Sequence, residues 1–214
     1  MPTKVKGKTQ ADTLLQAAAE WRLLGLLFEA PDAQWKASVR PLLPAVKDRT
    51  LRAAGKAALQ EAKVGLYFST LGPGGPAQVR EAAYRRTLDL GTLMADIEAY
   101  YTAFAFQPRT AEPCDHLAVE AAFISYLHLK EAYALFRGAD TEALVAREAA
   151  QEFIREHLAY IAEPLAKSLQ SSGIKYMERA ARHLLQRVGP APVELHVVAP
   201  IQPADADEEV TCAM

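Results

Sequence analysis

The chain has 214 residues and a net charge of −2, and half of its side chains are apolar, with 41 alanines the largest single share. That is enough chain to bury a core without disulfide or metal staples, and its composition excludes a disordered body and a strongly basic nucleic-acid binder. Two cysteines, Cys114 and Cys212, exclude a disulfide framework and a four-ligand zinc site. Charge is uneven: Lys4, Lys6 and Lys8 crowd the start. After Arg187 there is no further Lys or Arg, only Glu194, Asp205, Asp207, Glu208 and Glu209. The first apolar run, Leu23–Phe28, is short and preceded by Glu20 and Arg22, so it fits neither a bilayer span nor a secretory signal. The expectation is a protein without a membrane span, in a reducing cytoplasm.

In chain order, Leu14, Ala18, Trp21, Leu24 and Phe28 recur at three- and four-residue steps and predict a helix over Thr9–Phe28. Pro31 ends it, and a second helix is expected over Ala33–Leu43 before Pro44. A third, Asp48–Ser69, points Leu51, Ala54, Ala58, Ala62 and Leu66 inward. Gly72-Pro73-Gly74-Gly75-Pro76 is the clearest break, followed by helices over Ala77–Leu88 and Leu93–Phe106. After the polar connector Gln107–Pro113, a long helix should run from Pro113 or Asp115 to Phe136. Further helices are expected over Glu142–Leu158, with a kink or restart at Glu163-Pro164, and over Ile174–Val188. Val193, Leu195 and Val197 alternate and suggest a short edge strand. The pattern is a single all-α body of eight to ten helices, residues 9–188. A basic extension (1–8) precedes it and a Pro-rich acidic tail (189–214) follows.

Enzyme signatures are absent. The glycine-rich loop lacks the Lys-Ser/Thr of a phosphate loop, there is no His-Glu-x-x-His or Gly-x-Ser-x-Gly, and Cys114 beside Glu112 and Asp115 is a poor nucleophile. One segment stands out: Glu112-Pro113-Cys114-Asp115-His116, followed by Glu120. Asp115 can cap the helix or lie in its first turn. If the helix begins by Pro113, Glu112, His116 and Glu120 form a polar stripe, and His116 between carboxylates is drawn toward its charged form. Two readings stay open: a well-capped helix start with an ion-paired first turn, or a fixed acidic–imidazole cluster suited to a cationic or peptide ligand. A metal site lacks a second ligand cluster.

Glu112, Pro113, Asp115 and His116, opening a long helix, resemble the signature of the TorD/DmsD/NarJ family of molybdoenzyme maturation chaperones. The similarity extends through Asp96–Phe104, Leu117–Glu120, Tyr126–Glu131 and Phe153–Leu158, and spans roughly Leu14–Leu169. It is greatest to chaperones of type II enzymes of the dimethyl-sulfoxide-reductase superfamily. Ala121-Ala122 departs from the bulkier or acidic residues of relatives, which alters a groove wall. The resemblance implies a cofactor-free, non-catalytic cytoplasmic protein. Its partner would be the apo catalytic subunit of a molybdopterin oxidoreductase, held through an amino-terminal leader, in some cases twin-arginine, until the cofactor is inserted. It also implies a monomer or a domain-swapped dimer.

A basic, apolar leader asks for a groove with an apolar floor and an acidic rim. The expected floor is Tyr100, Tyr101, Phe104, Phe123 and Leu127, although plain core packing suits each of them equally. Asp115 and Glu120 are expected to face the ligand's arginines, with Glu112, Pro113 and His116 beside them, and Pro108–Pro113 to act as a hinge. The alternatives are a metal- or nucleotide-dependent hydrolase centred on Glu112, His116 and Glu120, or a helical adaptor unrelated to molybdoenzymes.

Overall fold

The structure is a computed structural model that describes residues 3–85 and 88–191, with side chains from Gln10 onward. Among the described residues there are eight helices of eight residues or more and one single-turn helix, with no strand. They are α1 (Thr3–Leu27), α2 (Trp35–Val39), α3 (Arg49–Glu61), α4 (Val64–Leu71), α5 (Leu90–Ala103), α6 (Leu117–Arg137), α7 (Asp140–Phe153), α8 (Ala159–Leu169) and α9 (Lys175–Val188). None is long and apolar enough to cross a membrane.

Two helices form the axis. The second half of α1 is buried almost all round, from Trp21 through Leu23, Leu24, Leu26 and Leu27 to Phe28, and so is the first half of α6 from Leu117 to Leu127. Helices apolar on every side belong inside a fold rather than on its surface. They run in opposite directions. Gly25 lies against Ala118 and Ala121, and one α1 segment earlier the Ala18 carbonyl accepts from Ser125 Oγ at 2.8 Å. The alanines and Gly25 let the backbones close up, since a Cβ at residue 25 would sit 3.0 Å from the Ala118 carbonyl oxygen. α7 covers α6 on one side, while α3, α8 and α9 close the other end of the body. Arg187 of α9 ties back to α1 through Glu20 at 2.6 Å and lies over the Trp21 ring.

Three local expectations are corrected. The run Asp48–Ser69 is two helices, broken at Ala62-Lys63, where both backbones are extended. A continuous helix would carry the inward stripe of Leu51, Ala54 and Ala58 on through Ala62 and Leu66. The break turns the chain so that Tyr67, Thr70 and Leu71 are buried instead. Residues 77–85 are not an α-helix: the chain bends at Ala77, passes through Gln78 and Val79 to an extended Arg80, and makes a single 3-10 turn over Glu81–Ala83, while residues 86 and 87 of the expected helix lie outside the described residues. The tight glycine turn before them needs Gly75, because a Cβ there would meet the Thr70 carbonyl oxygen at 2.6 Å. Pro164 lies inside α8 and starts no new helix; the change of register comes earlier, in a π turn over Ile154–Leu158 that buries His157 and Leu158. α1 begins at Thr3, ahead of the expected Thr9. The alternating segment Val193–Val197 and the acidic cluster lie outside the described residues.

Because the α1–α6 contact has no spare room, Gly25→Val overpacks it. The variant is expected to lose about 1–3 kcal/mol, read as a lowered melting temperature.

Candidate functional site

The Glu112–His116 segment turns into α6, and the strap Ala77–Arg80 with its 3-10 turn lies across that turn. The Glu81 N–H donates to the Asp115 carbonyl at 3.0 Å and the Leu117 N–H to the Val79 carbonyl at 2.8 Å, an isolated antiparallel bridge pairing Arg80 with His116. The side chain of Asp115 completes the clamp. Fully buried, it accepts from Arg80 Nε at 2.8 Å and from the Ala82 N–H at 3.2 Å. Asp115 is therefore not the helix cap. That role falls to His116, whose Nδ1 accepts from the Ala118 N–H at 3.1 Å.

This cap settles the state of His116. Nδ1 is unprotonated because it accepts a backbone N–H, so Nε2–H is the donor to Tyr67 Oη, 3.1 Å away. Burial pushes the imidazole down to about 4, against the pull of Asp115 and with Arg80 adding to the fall. The ring is neutral, and the expected charged His116 is corrected: desolvation outweighs the neighbouring carboxylates. Glu112 stands 3.8 Å from Nε2, half-buried on the outer side.

Glu120 lies on the inner side. It is fully buried beside the Glu81 carboxylate, which is its side-chain hydrogen-bond partner. Burial, then the nearby Glu81 and Asp115 carboxylates, raise its carboxyl well above the usual range, and it is held as the neutral acid. Glu81, from the strap, is itself fully buried. It takes Arg85 at 2.8 Å on one oxygen and His157 Nδ1 at 3.0 Å on the other. Arg85 also donates to the Glu156 carbonyl at 2.9 Å and covers the Tyr160 ring. The strap is thus bolted to α6 by Arg80–Asp115 and to the π turn by Glu81–His157.

The expected polar stripe of Glu112, His116 and Glu120 does not form, because residues 112–116 are not helical. These three groups face different surroundings, and both His116 nitrogens are engaged within the chain. Among the described residues no three His, Cys, Asp or Glu side chains converge in a metal-ligand arrangement.

The expected floor residues do come together, as an aromatic cluster. Phe123 stands at its centre, 4.9 Å from Tyr101 and Phe153 and 6.1 Å from Phe104, ring to ring. Tyr100 caps the cluster and donates to Glu156 at 3.1 Å. Phe123, Leu127 and Tyr101 are buried core, so in this conformation they offer no surface to a ligand. Phe104 is half-buried and borders a cavity.

The open space lies on the other face of α6. A cavity of about 690 Å³ runs between the end of α1, the outer face of α6 and the connector after α5. On α6 it is lined by Ala122 and Leu129, with the buried Ala118 and Ser125 of the α1–α6 contact at its base, on the connector by Phe106 through Thr110, and also by Arg22 and Glu29. Ala105, at the corner of the connector, holds a left-handed φ of 53°, a strained conformation for alanine. Glu29 is raised by burial and by the Asp32 and Glu112 carboxylates, while Arg22 pulls it down from 3.9 Å. The volume is that of a ligand groove.

A helical body that encloses an aromatic core, clamps its own connectors with buried ion pairs and keeps an open groove has the build of a binding protein. The model of the nitrate reductase delta subunit family matches residues 29–165, and the chain belongs to that family, the molybdoenzyme assembly chaperones that include NarJ, TorD and DmsD. Its members are non-catalytic and act on a molybdoenzyme catalytic subunit. No curated protein sequence matches the chain.

The sequence reading missed Tyr67, Arg80, Glu81, Arg85 and His157 as parts of one network. The signals in the sequence were Glu81–Arg85 at helical spacing, which reads as an ordinary surface pair, and His157 within the Phe153–Leu158 stretch of the family resemblance.

Three outcomes follow for stability. Glu120→Gln removes an acid that stays protonated when folded but ionises when unfolded above its ordinary pKa. Melting curves should show it more stable than wild type at pH 8 and little changed at pH 4. His116 and His128, both lowered to about 4, act in the opposite sense. The unfolded chain protonates them first, so their contribution is lost as pH falls from about 6.5 toward 4. Asp115→Ala should cost roughly 2–3 kcal/mol, since it strands the Ala82 N–H and Arg80, although Arg80 can turn to water.

Proposed function

We propose that this chain is a cytoplasmic, system-specific chaperone. It holds the apo catalytic subunit of a molybdopterin oxidoreductase by an amino-terminal leader, in some clients a twin-arginine leader, until the cofactor is inserted. The observation that carries this reading is the groove between α1, α6 and the connector. It has an apolar floor and is lined by Glu29, whose carboxylate is repelled by the nearby Asp32 and Glu112 and lies 3.9 Å from Arg22. A leader offers the complement: apolar side chains for the floor and basic ones for Glu29 and Glu112.

In this reading Glu112 is the motif residue that meets the ligand. Pro113, Asp115, His116 and Glu120 act by fixing where α6 begins and how the strap lies. Tyr100, Tyr101, Phe104, Phe123 and Leu127 back the α6 wall from inside. The connector Pro108–Pro113 borders the groove, and its movement would admit and release the leader. An affinity near micromolar, about −8 kcal/mol, suits a chaperone that must let go.

The test is calorimetric titration of the full chain with the leader peptide of the molybdopterin oxidoreductase encoded in the same genome. Wild type should bind, and Ala122→Trp, which fills the groove floor from a half-exposed position, should weaken binding at least tenfold at an unchanged melting temperature. Equal affinities would exclude the groove.

A further inference from the structure

The outer face of α6 continues past Leu129, where the first cavity ends. On α6, Ala118, Ala122, Ser125, Leu129, Tyr133 and Phe136 recur at three- and four-residue steps and fall on one face of the helix. Beyond Leu129, Tyr133 of that face borders a second cavity of about 370 Å³, together with Lys130, Ala134 and Arg137 of α6 and Val145 of α7. Its neighbourhood is apolar and open: Tyr133 is 62% exposed, Phe136 83% and Val145 50%. The corner of the connector separates the two spaces, with Phe104 on the second and Phe106 on the first.

The two ends of this track differ in charge. At the α6 N-terminal end stand Glu29, Asp32 and Glu112 with Arg22 and Arg109, and one buried Glu29 oxygen has no hydrogen-bond partner among the described residues. At the other end stand Lys130 and Arg137 with Glu142. The two cations lie over tyrosine rings at 5.2 and 5.7 Å, with no carboxylate paired to either among the described residues. A helix rises 1.5 Å per residue, so the α6 residues of the track, from Ala118 to Arg137, span about 28 Å.

We infer that both cavities form one polar track for a single client segment, which lies parallel to α6 with a cation at its amino end, apolar side chains over Leu129 and Tyr133, and an acidic group at the Lys130–Arg137 end. This rests on the leader-binding reading and extends it past the leader's basic start into the chain that follows. The opposite polarity would set like charges against each other at both ends, a penalty a specific interface is built to impose.

The experiment uses the full chain and two synthetic peptides from the molybdopterin oxidoreductase of the same genome: one of the first 40 residues, and one ending after the basic and first apolar stretch. Tyr133→Ser with Val145→Ser, both at exposed positions, should weaken the long peptide about tenfold and leave the short one unchanged. Lys130→Glu with Arg137→Glu should do the same. Equal binding of the two peptides, with neither double variant altering it, would overturn the extended track while leaving the groove reading intact. Failure of both peptides to bind the wild-type chain would overturn the groove reading and the track with it.

Discussion

The carboxylate of Asp115, buried under Arg80, is the constraint on which the geometry of the site depends. A charge so placed is tolerated only if it is fully compensated, and Arg80 with the Ala82 N–H compensates it. That pair holds the strap 77–80 across the start of α6, and the strap in turn delivers Glu81 to His157 and Arg85. Remove the compensation and three separate things lose their place: the first turn of α6, the chain after the glycine turn and the π turn before α8. The motif that marks the family is therefore, in this molecule, a structural junction, and the open groove is formed on the far side of the helix it sets.

That arrangement reconciles a polar motif with an apolar ligand surface. The buried acids and imidazoles carry almost no net charge to the outside: His116 and Glu120 are neutral and Asp115 is matched by Arg80. The external field near the groove comes from Glu29, Asp32 and Glu112 instead. An aromatic cluster around Phe123 lies beneath α6 and stiffens it, while Ala122 and Leu129 on its other face line the groove. A wall of small residues on a rigid helix costs a ligand little reorganisation.

The helical architecture was legible in the sequence because it is written in local periodicity, as in Trp21, Leu24 and Phe28 or the long run from Leu117. The family was legible too, from Glu112, Pro113, Asp115 and His116. The strap was not. Ala77–Leu88 is rich in helix formers, and what overrides them is backbone pairing to residues 115–117, about 35 positions away. The same distance hid the partners of Asp115 and Glu120. His116 was misjudged because spacing reveals neighbouring charges and conceals burial. Phe123 and Leu127 were placed on a groove floor for want of any sign of which side of α6 faces inward. Ala122, noted as unusual, proved to be on the open side.

The central claim is that the client's leader occupies the groove between α1, α6 and the connector. Amide hydrogen exchange on the full chain, with and without the leader peptide of its molybdopterin oxidoreductase, tests it directly. The account predicts added protection in residues 105–110 and 118–129, with the α3–α9 face unchanged. Protection confined to the α3–α9 face, or none anywhere at saturating peptide, would contradict it.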